Sequence, residues 1–324
     1  MPLMDRLGPK PIWKSCCAIA AGFVLCLPLV ACGTGIEVTE RVTDKEVRKV
    51  VNQTDKSQPT LTIEAFVDSM PAWRQGKHFW VADNQARLLF SATGDYDIDT
   101  LSLAGHTLSY QGYDTGGIYD NRNTVNLRFV DDATGHGMIY RTGKTVTEFR
   151  PGFSIPMLID LDMVNHISRQ VAGKDYYIRT GIWYGRGNEQ MIDGRHFIKV
   201  HIDSVLPGNA VMPLRVLFTT ADTRESAMVW MSDNASTMHG RDFDALFAAA
   251  DPHQAYPTIT DETWERITRA QVIMGMTKQE CLLALGSPRR INEFPDQSGL
   301  REYWYYDGGS YLFFVDGLLT QFRR

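Results

Sequence analysis

Beyond residue 32 this chain of 324 residues has one cysteine, Cys281, so no internal disulfide can form in that part of it. A basic stripe is also missing. Thirty-three Lys and Arg stand against 38 Asp and Glu, for a net charge of −5, which argues against nucleic acid as a partner. The one long apolar stretch, 15–30, is interrupted by Pro28 and too short for a comfortable transmembrane helix. No Gly-x-Ser-x-Gly elbow, Ser-x-x-Lys, His-Glu-x-x-His, P-loop or dinucleotide fingerprint occurs, so neither an enzyme nor a cofactor site is expected. Metal chemistry is not expected either. Asp95, Asp97 and Asp99 alternate as in a calcium loop, but Thr100 stands where that loop needs Gly and His106 where it needs Glu. They read instead as carboxylates on an edge strand, where they deter edge-to-edge association. His196 and His201 fall on opposite faces of a strand and would not share an ion.

What is present begins at the N-terminus. Arg6, Lys10 and Lys14 precede the apolar stretch, the pattern of a secretory signal over 1–31. It closes on Leu29-Val30-Ala31-Cys32-Gly33, which resembles the bacterial lipobox. That resemblance implies cleavage before Cys32, a diacylglycerol thioether on its sulfur and an acyl chain such as palmitate on the new amine. The alternative is an ordinary signal cleaved nearby. Gly33, where Asp would mark inner-membrane retention, favours the outer membrane, with the globular part in the periplasm. Cys16, Cys17 and Cys26 leave with the signal. Residues 32–60 are polar and of mixed charge, as in a tether.

The chain then repeats itself. Gly76-Lys77-His78-Phe79-Trp80-Val81 is echoed by Gly173-Lys174-Asp175-Tyr176-Tyr177-Ile178. Leu103-Ala104-Gly105-His106 is echoed by Ile192-Asp193-Gly194-Arg195, 125–129 by 214–218, and Met138 by Met228. Two related β modules are expected, 61–157 and 158–250, each a small barrel or sandwich of short strands. The apolar spacing over 155–171 predicts a helix between them, and 242–250 another. Glycines flank Trp183 and Tyr184, and these two could present an exposed aromatic contact.

Residues 255–324 carry the clearest signals. Thr260 caps a helix bearing Trp264 and Ile267. Thr277 and Glu280 form a capping box, Met276 and Cys281 have staple spacing, and Gly286 followed by Pro288 ends that helix. Aromatic runs at 301–306, 310–315 and 318–322 are separated by Asp307-Gly308-Gly309 and Asp316-Gly317, the strongest local hairpin signal. The prediction is a helix-helix-three-stranded antiparallel meander. Tyr303 and Tyr305 alternate with Trp304 and Tyr306, so both faces of the sheet are aromatic where one would ordinarily be polar. The four are candidate interaction residues.

Gly-Met-Thr, a helix ending Ala-Leu-Gly-x-Pro, an aromatic strand and a closing hairpin resemble the SmpA/OmlA (BamE-like) family of outer-membrane lipoproteins. The likeness covers about the last 60 residues; the family's usual protein is much smaller and lacks the two β modules. It implies a non-enzymatic interaction or assembly module. Its partners would be the membrane, through Cys32, and other envelope proteins, β-barrel assembly components among them. The competing expectation is a peptidoglycan- or glycan-binding lipoprotein that uses its β modules. Overall the fold class is mainly β with an α+β C-terminal module.

Overall fold

In a computed structural model of the chain, residues 61–116, 122–233, 241–296 and 299–323 are described. Cys32, the signal and the tether lie outside them. Alternation of apolar and polar residues generates most of the structure. In Leu214–Thr220, for example, Leu214, Val216 and Phe218 are buried and Arg215, Leu217 and Thr219 only half so, the period-2 pattern of a strand covered on one face. The described strands form three antiparallel sheets.

The first contains β1 (His78–Val81), β2 (Phe90–Ala92), β3 (Thr107–Thr115), β4 (Val125–Asp131), β5 (Gly137–Arg141) and β6 (Leu158–Asp160), in the order β2-β5-β4-β3-β1-β6. The second contains β7 (Asp175–Ile178), β8 (Ile182–Tyr184), β9 (Met191–Asp193), β10 (Ile198–Pro207), β11 (Leu214–Thr220), β12 (Ser226–Met231) and β13 (Phe247–Ala248). Its order, β13-β7-β10-β11-β12-β8-β9, is that of the first sheet read backwards once β9 is set aside. Among the described residues no sheet closes into a barrel, contrary to the barrel expectation. The edge strands β2, β6, β9 and β13 are two or three residues long, too short to zip one edge to the other.

The repeat extends to irregularities. β3 bulges between Tyr110 and Gly112 against β4, and β10 between Ile202 and Ser204 against β11. Gly76, at φ +84°, donates its N–H to the Tyr110 carbonyl at 2.7 Å, and Gly173, at φ +75°, donates to that of Ile202 at 2.8 Å. The register differs from the sequence pairing, however. Gly105 donates to the Val81 carbonyl and Phe197 to that of Ile178, so Phe197, not Gly194, is the counterpart of Gly105. Likewise Phe129 faces Met138 where Phe218 faces Ala227, which makes Ala227 rather than Met228 the match.

Residues 158–160 are strand, not helix. Asp160 caps helix α1 (Leu161–Val171) by accepting the Asp162 N–H. α1 sends Met163, Val164, Ile167 and Val171 into the core of the second module. At its N-terminus the buried Lys77 ammonium meets Asp68, Asp160 and Asp162 at 3.0, 2.8 and 2.7 Å. The rings of Phe66, Trp73 and Phe79 surround it within 6 Å. The expected helix over 242–250 shrinks to α2 (Phe243–Leu246), because Phe247 and Ala248 pair with β7. Asp95–Asp99 is not an edge strand: Asp97 accepts the Asp99 N–H at 3.0 Å and caps a 3-10 turn. Among the described residues no three His, Cys, Asp or Glu are placed to hold a metal, and no helix is long and apolar enough to cross a membrane.

The C-terminal module has α3 (Asp261–Thr268), capped by the Thr260 hydroxyl, and α4 (Lys278–Leu285), with the Thr277–Glu280 capping box formed. Its sheet has four strands rather than three: β14 (Arg290–Asp296), β15 (Gly299–Tyr305), β16 (Tyr311–Val315) and β17 (Leu318–Arg323), in sequential order. The added β14 is an edge strand, where Pro295 is tolerated because its missing N–H faces away from the ladder.

Candidate functional site

The register of the C-terminal sheet assigns each side chain to a face. Trp304 pairs with Leu312 and Ile291, and Glu302 with Phe314. This inner face packs on α3 and α4, where Trp264, Ile267, Cys281, Ala284, Trp304, Leu312 and Phe314 form one core. The Trp304 and Phe314 rings are 4.7 Å apart. Tyr306 packs against the same core and donates its O–H to the Gly286 carbonyl at 3.1 Å. Glu302 is buried and paired with the Lys278 ammonium at the start of α4; burial lowers the Lys278 pKa, against the opposing charge of Glu293. Burial also pushes the Cys281 thiol up to about 12, so it stays protonated and is a poor nucleophile at neutral pH.

The outer face is built from the alternate residues. Tyr303 pairs with Phe313 and Asn292, Tyr305 with Tyr311 and Arg290, and Arg301 with Val315 and Phe294. Tyr303 is the hub: its ring lies 4.4 Å from Phe313, 6.1 Å from Phe294, 6.3 Å from Tyr305 and 6.4 Å from Tyr311. The Arg290 guanidinium sits 4.6 Å above the Tyr305 ring, within cation–π range. These five rings touch one another and join none of the three cores among the described residues. Phe294 is 51% exposed. Arg290, Arg301 and Arg323 lie on this face, and the register adds Asp296, opposite Gly299, at the end of β14.

The sequence-derived candidates therefore separate. Tyr303 and Tyr305 belong to the outer face, while Trp304 and Tyr306 hold the inner one. Trp183 is a correction: it is fully buried, its Nε1–H donates to the Thr180 carbonyl at 2.8 Å, and its ring meets Phe218 edge-on. The glycine that admits its ring is not a flanking one but Gly194, where a Cβ would fall into the Trp183 ring. Tyr184 is half-exposed and lines a cleft with Trp230. Cys32 lies outside the described residues. Sequence reasoning missed Phe294, Tyr311, Phe313 and Arg290; once β14 is placed, strand alternation assigns all four to the face of Tyr303. No family model, curated protein or solved structure matches this chain.

Proposed function

We propose that this is a non-enzymatic lipoprotein, anchored to the outer membrane through Cys32, that binds another envelope protein on the outer face of its C-terminal sheet. One observation carries the reading: five aromatic rings cluster there without entering a core. Tyr, Phe and Arg are enriched in the buried centres of protein interfaces and Lys and Glu depleted. Three arginines around the rings, in a chain of net charge −5, suit a partner segment that is acidic and apolar. The likeness to the SmpA/OmlA family makes β-barrel assembly components the first partners to test.

A photo-crosslinking residue placed at Tyr311 in cells is expected to give a discrete adduct. One at Leu88, 66% exposed on the first module, should give none. The Tyr311 adduct should vanish when Tyr303→Ser and Phe313→Ser are combined with an unchanged melting temperature. An adduct that survives the double variant, or none from Tyr311 at all, refutes the interface. Cys32→Ser should leave the membrane fraction or remain unprocessed; normal processing with membrane retention refutes the anchor.

A further inference from the structure

A concave site lies on the β modules. A cleft of about 430 Å³ opens between the residues that follow β1 and one end of the second sheet, within the roughly 300–1,000 Å³ of small-molecule sites. One wall is aromatic: Tyr184, ending β8, meets Trp230 of β12 edge-to-face at 6.1 Å and 67°. Val211, 61% exposed, extends the apolar rim.

The polar lining comes from Asp83, Asn209 and Arg241, each held by one local bond with capacity to spare. Asp83 caps a 3-10 turn by accepting the Gln85 N–H at 2.7 Å through one carboxylate oxygen. Asn209 uses its side-chain oxygen on the N–H groups of Val211 and Met212, at 2.9 and 2.8 Å, which leaves its NH₂ group. Arg241 is fixed by its backbone carbonyl, which accepts the Ser232 N–H at 2.9 Å. Among the described residues no partner is formed by the Arg241 guanidinium, the second Asp83 oxygen, the Tyr184 hydroxyl or the Trp230 N–H. Asp83 and Arg241 line one cleft without pairing with each other.

This set selects a ligand chemistry. The cleft carries one cation and one anion, so a phosphate would meet Asp83 and an amine would meet Arg241. A ligand whose groups both donate and accept satisfies both, and hydroxyls do so. The aromatic wall calls in addition for an apolar flank. A neutral pyranose ring presents an apolar C–H face beside a rim of hydroxyls. We propose that this cleft binds a neutral sugar ring of a glycan, either a soluble oligosaccharide or a strand of the cell-wall polymer. The site is separate from the outer face of the C-terminal sheet and does not depend on that face being an interface.

The test titrates the purified chain with tetra-N-acetylchitotetraose, with maltotetraose and with inorganic phosphate, following tryptophan fluorescence, and pellets it with purified peptidoglycan sacculi. Saturable binding of an oligosaccharide, or pelleting with sacculi, is expected, and the two arms separate the two sources. Tyr184→Ala and Arg241→Gln should each weaken it at least about tenfold, the factor expected when one good contact is lost. Asp83→Asn, which can still cap its turn, should also weaken it. Melting temperatures of the Arg241→Gln and Asp83→Asn variants should match the parent. Absence of binding in every arm overturns the proposal. So does binding that Arg241→Gln and Asp83→Asn leave unchanged, or full displacement of the sugar by phosphate.

Discussion

The two β modules are the same frame put to different uses. They share strand order, the bulge in their longest strand and the positive-φ glycine whose N–H closes on that bulge. They differ at positions that face a neighbour. Lys77 is buried among three carboxylates; its counterpart Lys174 is exposed and donates only to the Gln170 carbonyl, at 2.6 Å. Gly105 turns the first chain at φ +81° with nothing beyond it but the Trp80 ring. Phe197 makes the same turn at φ +58° and stacks on Trp264 of α3 at 5.6 Å and 27°. A left-handed conformation costs a residue with a Cβ about 1–2 kcal/mol, and an aromatic pair returns about 0.5–1.5 kcal/mol beyond its buried area. The frame is thus set by backbone hydrogen bonds, while side chains at equivalent places decide what each module is fastened to.

Breaking that contrast should have its largest effect at the lysines. Lys77→Ala leaves Asp160 and its neighbours without their cation, and removing one partner of a buried pair costs about 3–5 kcal/mol. Lys174→Ala should stay within about 0.5 kcal/mol, as exposed substitutions do. Urea midpoints of the two variants compare them directly, and equal midpoints would sink the distinction. The glycine position comes next. Gly105→Ala should destabilise by about 1–2 kcal/mol from its backbone alone, since a Cβ there meets nothing closer than 3.9 Å. Phe197→Gly relieves the same strain, so the second sheet should keep its hydrogen-exchange protection while α3 and α4 lose theirs. Loss in the sheet itself would mean that Phe197 stabilises its own module instead.

Legibility from sequence followed the range of the forces. The capping box at Thr277–Glu280, the Thr260 cap and the Asp316-Gly317 turn, with φ +51° and +82°, are all formed, because each is decided within four residues. Gly286 has the expected positive φ, but its ψ is −166°, a region open essentially to glycine alone. β14 was hidden by Arg290, Asn292, Glu293 and Pro295, which read as loop until β15 supplies a partner. Leu158 and Ile159 fit a helical stripe equally well, and only pairing with β1 makes them strand. Trp183 looked exposed because glycines flank it, yet its ring is buried against a glycine further along the chain, Gly194. In the repeat, the sequence pairing slipped by three residues at Gly105 and by one at Met138. A one-residue slip exchanges the faces of a strand, so its outward residues had to be read from the sheet. The aromatic outer face was half visible: Tyr303 and Tyr305 follow from alternation, but which pair lay outside depended on where the helices packed.

The smallest effect expected at the joint is on pH. His196, 7% exposed, donates its backbone N–H to the Thr268 carbonyl at 3.0 Å and its Nε2–H to the Leu283 carbonyl at 3.0 Å. It thereby ties the second β module to the last turns of α3 and α4. The first module has His106 next to its own turning residue, but that imidazole meets Asp131 at 2.9 Å, a carboxylate in place of a backbone carbonyl. Burial lowers the His196 pKa, and the bond to Leu283 offsets only part of this. The folded chain therefore binds this proton less readily than the unfolded chain, whose histidine titrates near 6.5. Above about pH 6.5 the residue is neutral in both states and contributes no slope. Below it, the unfolded state takes up the proton first and stability falls with pH until the folded pKa is passed. One proton limits the slope to about 1.36 kcal/mol per pH unit. His196→Gln keeps an N–H donor for Leu283 and removes the titration. Melting curves of the parent and this variant should converge above pH 7 and separate below 6.5, with the parent losing more. Contributions from the other histidines, common to both proteins, cancel in the difference, and parallel curves from pH 5 to 7.5 would show that His196 does not set the acid response of the joint.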